Sequence, residues 1–268
     1  MDGKTMRKRA EAVADRVAAE RRRFHEHPEL SWQEVETSRF IEERLRALGL
    51  ENVKRGFGGT ESGVTADLVG VRPGRTVALR ADIDALPLTE ENDIPYRSKR
   101  SGVMHACGHD AHAAILLGVA DVLAAMRDEL SGRVRFLFQP AEEAGTNSGA
   151  PRMIEEGALD GVDAIGGLHV WSPLPAGTVG LRSGPVMASA DIWDLTVQGK
   201  GGHSAMPHRT VDPTITASLV VTALQTVVSR EMDPLDTVVL SVGTMESGTA
   251  VNIIPGTARG AGSIRTLN

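Results

Sequence analysis

The sequence predicts an α/β protein, a helix-covered sheet over residues 1–183 followed by a smaller α+β sandwich over residues 184–268. Three observations predict it. Strand candidates alternate with helix candidates through the first part, and those strands are nearly continuous apolar runs, the pattern of a sheet covered on both faces. After about residue 183 the order changes to strand–helix–strand–strand, which suits a separate small layer. The boundary falls at the Gly184-Pro185 turn.

Taken in order, residues 5–26 read as a helix with Val13, Val17 and Phe24 inward, ending before Pro28 because proline disfavours helix in its predecessor. A second helix is expected from near Ser31 to Leu48, with Ser31 and Glu34 at capping-box spacing and Gly49 as its stop. Strands are expected at 63–69 and 76–81. A helix follows residue 110, with Ile115, Leu116, Val119, Val122, Leu123 and Met126 spaced to bury one face. A strand at 133–138, a short helix around 150–157 and a strand at 162–169 complete the first part. The second part reads as a strand at 188–198, a helix from near Asp212 with Ile215, Leu219 and Leu224 on one side, and strands at 236–243 and 257–265. The last residues read as a strand end, so the second domain is expected to be truncated inside its own sheet.

Bulk properties exclude several classes of function. The 268 residues are 41% hydrophobic and 24% charged, an ordinary balance for a globular protein. A net charge of −6, with no basic stripe beyond Arg21–Arg23, argues against nucleic-acid binding. No apolar run approaches the roughly 18 residues of a membrane span. The N-terminus, Met1-Asp2-Gly3-Lys4, opens a charged amphipathic helix without the apolar core of a signal peptide. One cysteine allows no internal disulfide, and the cytoplasm is the expected compartment.

The chemistry concentrates in Met104-His-Ala-Cys-Gly-His-Asp-Ala-His112, which holds three of the eight histidines and the only cysteine at the turn into a helix. Three further clusters follow predicted strands: Arg80-Ala-Asp82-Ile-Asp84-Ala-Leu-Pro87, Gln139-Pro-Ala-Glu142-Glu143 and Gly167-Leu-His169-Val170. Ligands gather outside the carboxyl ends of strands in open α/β sheets. Convergence there would assemble Cys107, His109, Glu142, Glu143, His169 and one or both aspartates, a thiolate, imidazole and carboxylate mix suited to Zn²⁺ or Mn²⁺. The adjacent acids suggest a division of labour in which one carboxylate binds metal and its neighbour moves protons for an activated water. Asp84 would orient a ligand from behind. Taken singly, Cys107 reads as a core thiol, His169 as a core histidine, Glu142-Glu143 as a solvated helix start and Asp82 and Asp84 as turn residues; their joint placement favours the metal.

With these stretches stand His25-Glu-His-Pro-Glu-Leu-Ser31, Gly201-Gly-His203-Ser-Ala-Met-Pro-His208 and Val251-Asn252-Ile-Ile-Pro255. In that order the chain resembles the aminoacylase/carboxypeptidase group of metal-dependent amidohydrolases. The resemblance is nearest the branch of hippurate hydrolases, N-acyl-amino-acid amidohydrolases and plant auxin-conjugate hydrolases. It implies a zinc-peptidase-like catalytic domain with a mixed sheet, and an inserted α+β lid that commonly dimerises. It also implies Cys107, His109, Glu143 and His169 as metal ligands, and Glu142 as general base and acid. His203 would reach a partner subunit's site to stabilise the oxyanion, while Asn252 and Arg265 would hold the substrate carboxylate.

Two departures shape the expectation. Related two-zinc carboxypeptidases have His-x-Asp where this chain has Asp82-Ile83-Asp84, and a bridging aspartate where it has Cys107. Asp82 is therefore left out of the metal set, and manganese stands level with zinc, one or two ions per subunit. The family's catalytic domain also resumes after the lid to supply a last histidine, so this chain by itself is expected to be weak or inactive. The expected reaction is hydrolysis of N-acyl amino acids in a cytoplasmic homodimer acting on small molecules, with neither nucleic acid nor membrane as partner. The alternatives are a dipeptidase or N-acetyl-diaminopimelate deacetylase of the same family, or a non-catalytic metal-binding fragment. A bland alternative for His203 is that Gly201–Ser204 caps the lid helix.

Overall fold

The computed structural model describes residues 3–268, so Met1 and Asp2 of the predicted amphipathic start lie outside the described residues. The chain separates into two compact units, Met1–Pro173 and Leu174–Asn268. The Gly184-Pro185 turn lies within the second.

Helix α1 (Gly3–Glu26) sends Phe24 into the core and lays Val17 against it. Helix α2 (Val35–Ala47) begins later than the Ser31 capping box predicts. Trp32 takes a left-handed φ of 65°, which a helix cannot contain, and the Ser31 hydroxyl donates instead to Asp84 at 2.7 Å. Capping passes to Glu29, whose carboxylate accepts from the Thr37 N–H at 2.8 Å and the Glu36 N–H at 3.4 Å. The other end is as expected. Gly49 at φ 70° closes a Schellman turn, its N–H donating to Arg46 C=O and that of Leu50 to Leu45 C=O.

The first unit is built on a five-stranded mixed sheet in the order β1 (Glu51–Arg55), β2 (Val64–Val69), β4 (Ser131–Gln139), β3 (Arg72–Asp82) and β5 (Ala164–Gly167). β1 has no counterpart in the sequence expectation: Glu51-Asn-Val-Lys-Arg55 is too polar to show as a strand, and its place comes from antiparallel pairing with β2. β4 pairs antiparallel with β2 and parallel with β3, and β3 pairs parallel with β5. Alternation along the strands divides the core. Phe136 and Phe138 face Val64, Ala66, Leu68 and Ala81 in the larger cluster, under α1, α2 and helix α3 (His109–Ala124). Leu137 and Ala78 face the other way, toward Phe57, Ala158 and Met153 of helix α4 (Gly149–Glu155).

Helix α3 packs against both α1 and the sheet. That is why Ala113, Ala114, Leu116, Leu117, Ala120 and Val122 are all buried; the single buried face expected from spacing is instead a helix covered on most sides. The parallel register aligns Asp82 with Gln139 and Arg80 with Gly167, so the carboxyl ends of β3, β4 and β5 open on one edge.

The second unit is a three-stranded antiparallel sheet, β6 (Asp191–Gln198), β10 (Thr257–Thr266) and β8 (Val238–Ser247) in that order, with helix α5 (Pro213–Thr226) against it. A two-stranded ribbon joins β7 (Gly202–His203) to β9 (Ile253–Ile254). Asp212 caps α5, its carboxylate accepting from the Thr214 and Ile215 N–H groups, which removes the capping alternative for Gly201–Ser204. No helix among the described residues is long and apolar enough to cross a membrane.

Leu68 is wholly buried in the sheet, away from the open edge. Leu68→Ala should therefore cost about 2–5 kcal/mol in urea unfolding, whereas Val71→Ala at 57% exposure should stay within about 0.5 kcal/mol. Equal midpoints for the two variants would contradict the assigned core.

Candidate metal centre

The open edge gathers most of the residues singled out in the first unit. Asp82 ends β3 and Asp84 follows in the loop after it, the short 3₁₀ turn after β4 carries Glu142 and Glu143, and the segment after β5 carries His169. The fourth contributor is a helix start rather than a strand end, with Cys107 two residues before His109, the first residue of α3. Gly108 makes this approach possible. Its φ is 98°, and a Cβ there would stand 2.3 Å from Val170 Cγ2.

Cys107 Sγ lies 3.4 Å from His169 Nε2. His109 Nε2 lies 3.9 Å from both Glu142 Oε2 and Glu143 Oε1, and 3.6 Å from Asp82 Oδ1. Two ligand groups emerge within 4.8 Å, Cys107–His109–His169 and His109–Glu142–Glu143, with His109 common to both. Its imidazole is completely buried, Nδ1 donates to the Asp84 backbone carbonyl at 2.9 Å and to Asp84 Oδ1 at 3.2 Å, and Nε2 has no hydrogen-bond partner. Such an orphaned lone pair among sulfur, imidazole and carboxylate fits a divalent cation of the zinc or manganese kind. His169 is turned the same way, since its Nδ1 donates to the Val170 carbonyl at 2.6 Å and Nε2 is left toward the thiol.

Asp82 and His112 form a third potential group with His109, but both are engaged otherwise. The Val170 N–H donates to His112 Nε2 at 2.9 Å, so the ring proton sits on Nδ1 and is donated to Asp82 Oδ1 at 2.5 Å. Arg80 donates to the other Asp82 oxygen. Burial pushes the Asp82 carboxyl up, but the His112 hydrogen bond and the charge of Arg80 outweigh it and hold it at about 2. Sequence spacing gave no sign of this pairing, because Asp82 and His112 lie far apart in the chain and meet only through the strand-end geometry. His105 stands outside the ligand groups, buried, with burial lowering it to about 4.

Asp84, expected to orient a ligand from behind, lies against His109 and the Glu143 backbone. Oδ1 receives His109 and Oδ2 receives both the Ser31 hydroxyl and the Glu143 N–H, the latter at 2.9 Å. Burial opposes ionisation, and those donors keep the carboxyl below its usual value. The neighbouring acids act on the thiol beside them. Burial first, then the charge of Glu143, pushes the Cys107 thiol up to about 12, and burial raises Glu142 above the usual carboxylate range. A bound cation inverts this logic, favouring thiolate and carboxylate together.

In the second unit, the β7–β9 ribbon brings His203 opposite Ile253, and Ser204 N–H donates to the Asn252 carbonyl at 3.0 Å. The exposed His203 ring accepts the Ala205 N–H on Nδ1 at 3.1 Å, which leaves its proton on Nε2. Arg265 lies on β10, opposite Val239.

A mixed α/β sheet whose parallel strand ends collect these candidate ligands is the arrangement of a metallopeptidase-like fold. Residues 78–260 match the model of peptidase family M20/M25/M40. Over its whole length the chain is 46% identical to an N-acyl-L-amino acid amidohydrolase of Geobacillus stearothermophilus, covering 71% of that protein. It is 48% identical to an N-acetyl-L-cysteine deacetylase of Bacillus subtilis, over 92% of this chain and 58% of the relative. A solved Bacillus subtilis structure, described as a dinuclear metal-binding peptidase of the M20 family, superposes with a TM-score of 0.82 at 40% identity, over 96% of this chain and 66% of that one. The chain belongs to the M20/M25/M40 peptidase family.

A thiol at about 12 is almost wholly protonated at neutral pH. Metal-free protein at pH 8 should then alkylate with iodoacetamide at least about a hundredfold more slowly than free cysteine. Glu143→Gln should speed the reaction, and the rate should keep rising above pH 9. Alkylation at the free-cysteine rate would show that burial and the acids do not hold the proton on Cys107.

Proposed function

We propose that this protein hydrolyses the amide bond of N-acyl amino acids, with a Mn²⁺ or Zn²⁺ centre held by Cys107, His109, Glu143 and His169. The observation that carries this reading is the buried, unpartnered Nε2 of His109 at the junction of both ligand groups. The names borne by the amidohydrolase and deacetylase relatives supply the substrate class. When bound, the metal contributes positive charge that polarises the substrate carbonyl and makes water a better acid.

The chain's own groups then divide the work. Asp84 fixes the His109 ring so that Nε2 faces the centre, and holds the Glu143 backbone by its N–H. Asp82 and Val170 lock His112 between them and so keep the start of α3 against the His169 segment. Glu142 is half-exposed, and burial of the remainder raises its carboxyl, making it a better base than a free glutamate. It takes a proton from the attacking water and returns it to the leaving amine. His203 donates from Nε2 to the oxyanion, delivered from the second protomer of a homodimer. The ring's protonation pattern in the ribbon supports that role. Asn252 and Arg265 receive the substrate carboxylate, where a guanidinium offers paired donors. A reducing cytoplasm suits a thiol ligand with no disulfide partner.

In the full-length protein, Glu142→Gln should leave metal content and affinity near normal while lowering kcat on N-acetyl and N-benzoyl amino acids by about 10²–10⁴. Retained turnover would remove Glu142 from the role of base. Asp84→Ala should instead weaken metal binding by about 10–100-fold in calorimetric titration, and unchanged affinity would exclude Asp84 as the orienting group.

A further inference from the structure

We infer that Glu34 is a positioning residue for the Glu142–Glu143 pair, acting through the backbone of Ala141; the inference rests on the roles proposed above for those two acids. Glu34 is wholly buried, and its Oε1 accepts the Ala141 N–H at 2.7 Å across 107 residues of chain. It belongs to none of the ligand groups.

Ala141 is the point of leverage. It sits at φ 52°, ψ 44°, a left-handed conformation that costs an alanine energy and persists only where the surroundings over-determine it. Both of its backbone groups are tied. The N–H goes to Glu34, and the carbonyl accepts from the Gly149 N–H at 3.2 Å. Two residues on, the Glu143 N–H is gripped by Asp84. Two buried carboxylates from distant segments thus hold alternate peptide N–H groups, and Glu142 is suspended between them. This is how two adjacent acids in one short turn both come within 3.9 Å of His109 Nε2. Without the Glu34 oxygen, the Ala141 N–H would be buried and unsatisfied, and the turn would relax toward the conformations alanine prefers, carrying both carboxylates off the centre.

The clamp does not need the charge. Burial raises the Glu34 carboxyl to about 7 while the Ala141 N–H works the other way, and an acceptor oxygen is present in either protonation state.

The test uses the full-length protein titrated with MnCl₂ and assayed on N-acetyl amino acids. Glu34→Gln keeps an acceptor oxygen at the same reach, so Mn²⁺ affinity and kcat should stay within about threefold of wild type. Glu34→Asp keeps the charge but withdraws the oxygen, and Glu34→Met removes it. Both should lose about tenfold or more in kcat and in Mn²⁺ affinity, with KM changed by less than about threefold. Adding Ala141→Gly to Glu34→Asp should recover a large part of the loss, because glycine adopts the left-handed conformation without strain. The inference is overturned if Glu34→Asp, folded by circular dichroism, matches wild type, if Glu34→Gln is as impaired as Glu34→Asp, or if Ala141→Gly gives no rescue. Should Glu34→Met not fold, the Gln–Asp contrast decides. If wild-type protein binds Mn²⁺ without hydrolysing any N-acyl amino acid, the proposed activity fails, and the order of Mn²⁺ affinities still decides the role of Glu34.

Discussion

The carboxylate of Asp84 ties together the segments that line the candidate metal centre. It follows β3, receives the imidazole that begins α3, the backbone of the turn after β4 and the hydroxyl that precedes α2. It is 1% exposed. An ionised group so deep is costly unless every lone pair is used, and removing a partner from a buried charge costs about 3–5 kcal/mol. The three donors are therefore as necessary to the carboxylate as it is to them. The same contacts aim His109 Nε2, so the energetic demand of a buried charge and the geometric demand of a metal site are met by one arrangement.

Asp82 repeats the device one step along the strand. Its oxygens are divided between Arg80 and His112, and His112 passes the restraint to the Val170 backbone. Two aspartates separated by one residue thus serve two histidines separated by one turn of α3. One histidine is left with a free lone pair, and the other is consumed as a strut. Which histidine does which follows from what meets its far nitrogen: a peptide N–H for His112 and nothing for His109.

Pattern and chemistry together make much of this legible in the sequence. Apolar runs located β2, β3, β4 and β5, glycine located the end of α2, and Asp212 located the start of α5. The cluster Cys107, His109, Glu142, Glu143 and His169 was readable because each member lies beside a recognisable strand or helix end. What failed had local causes. Ser31 has capping spacing but does not cap α2, because its hydroxyl is held by Asp84, and Glu29 takes over from outside the helix. β1 was invisible because five largely polar residues form a strand only when β2 offers them an edge.

The sequence by itself determined the alternation of strands and helices, the segments that carry the candidate ligands and the residue types available for chemistry, all of which depend on neighbours within a few positions. Tertiary structure alone decided the pairing of Asp82 with His112, the grip of Glu34 on Ala141 and the difference between His109 and His112. Those contacts join residues 30, 107 and 58 positions apart, and they depend on strand register and on the left-handed turn at Ala141. Buried polar groups find partners wherever the fold brings them, and spacing along the chain carries no record of those meetings.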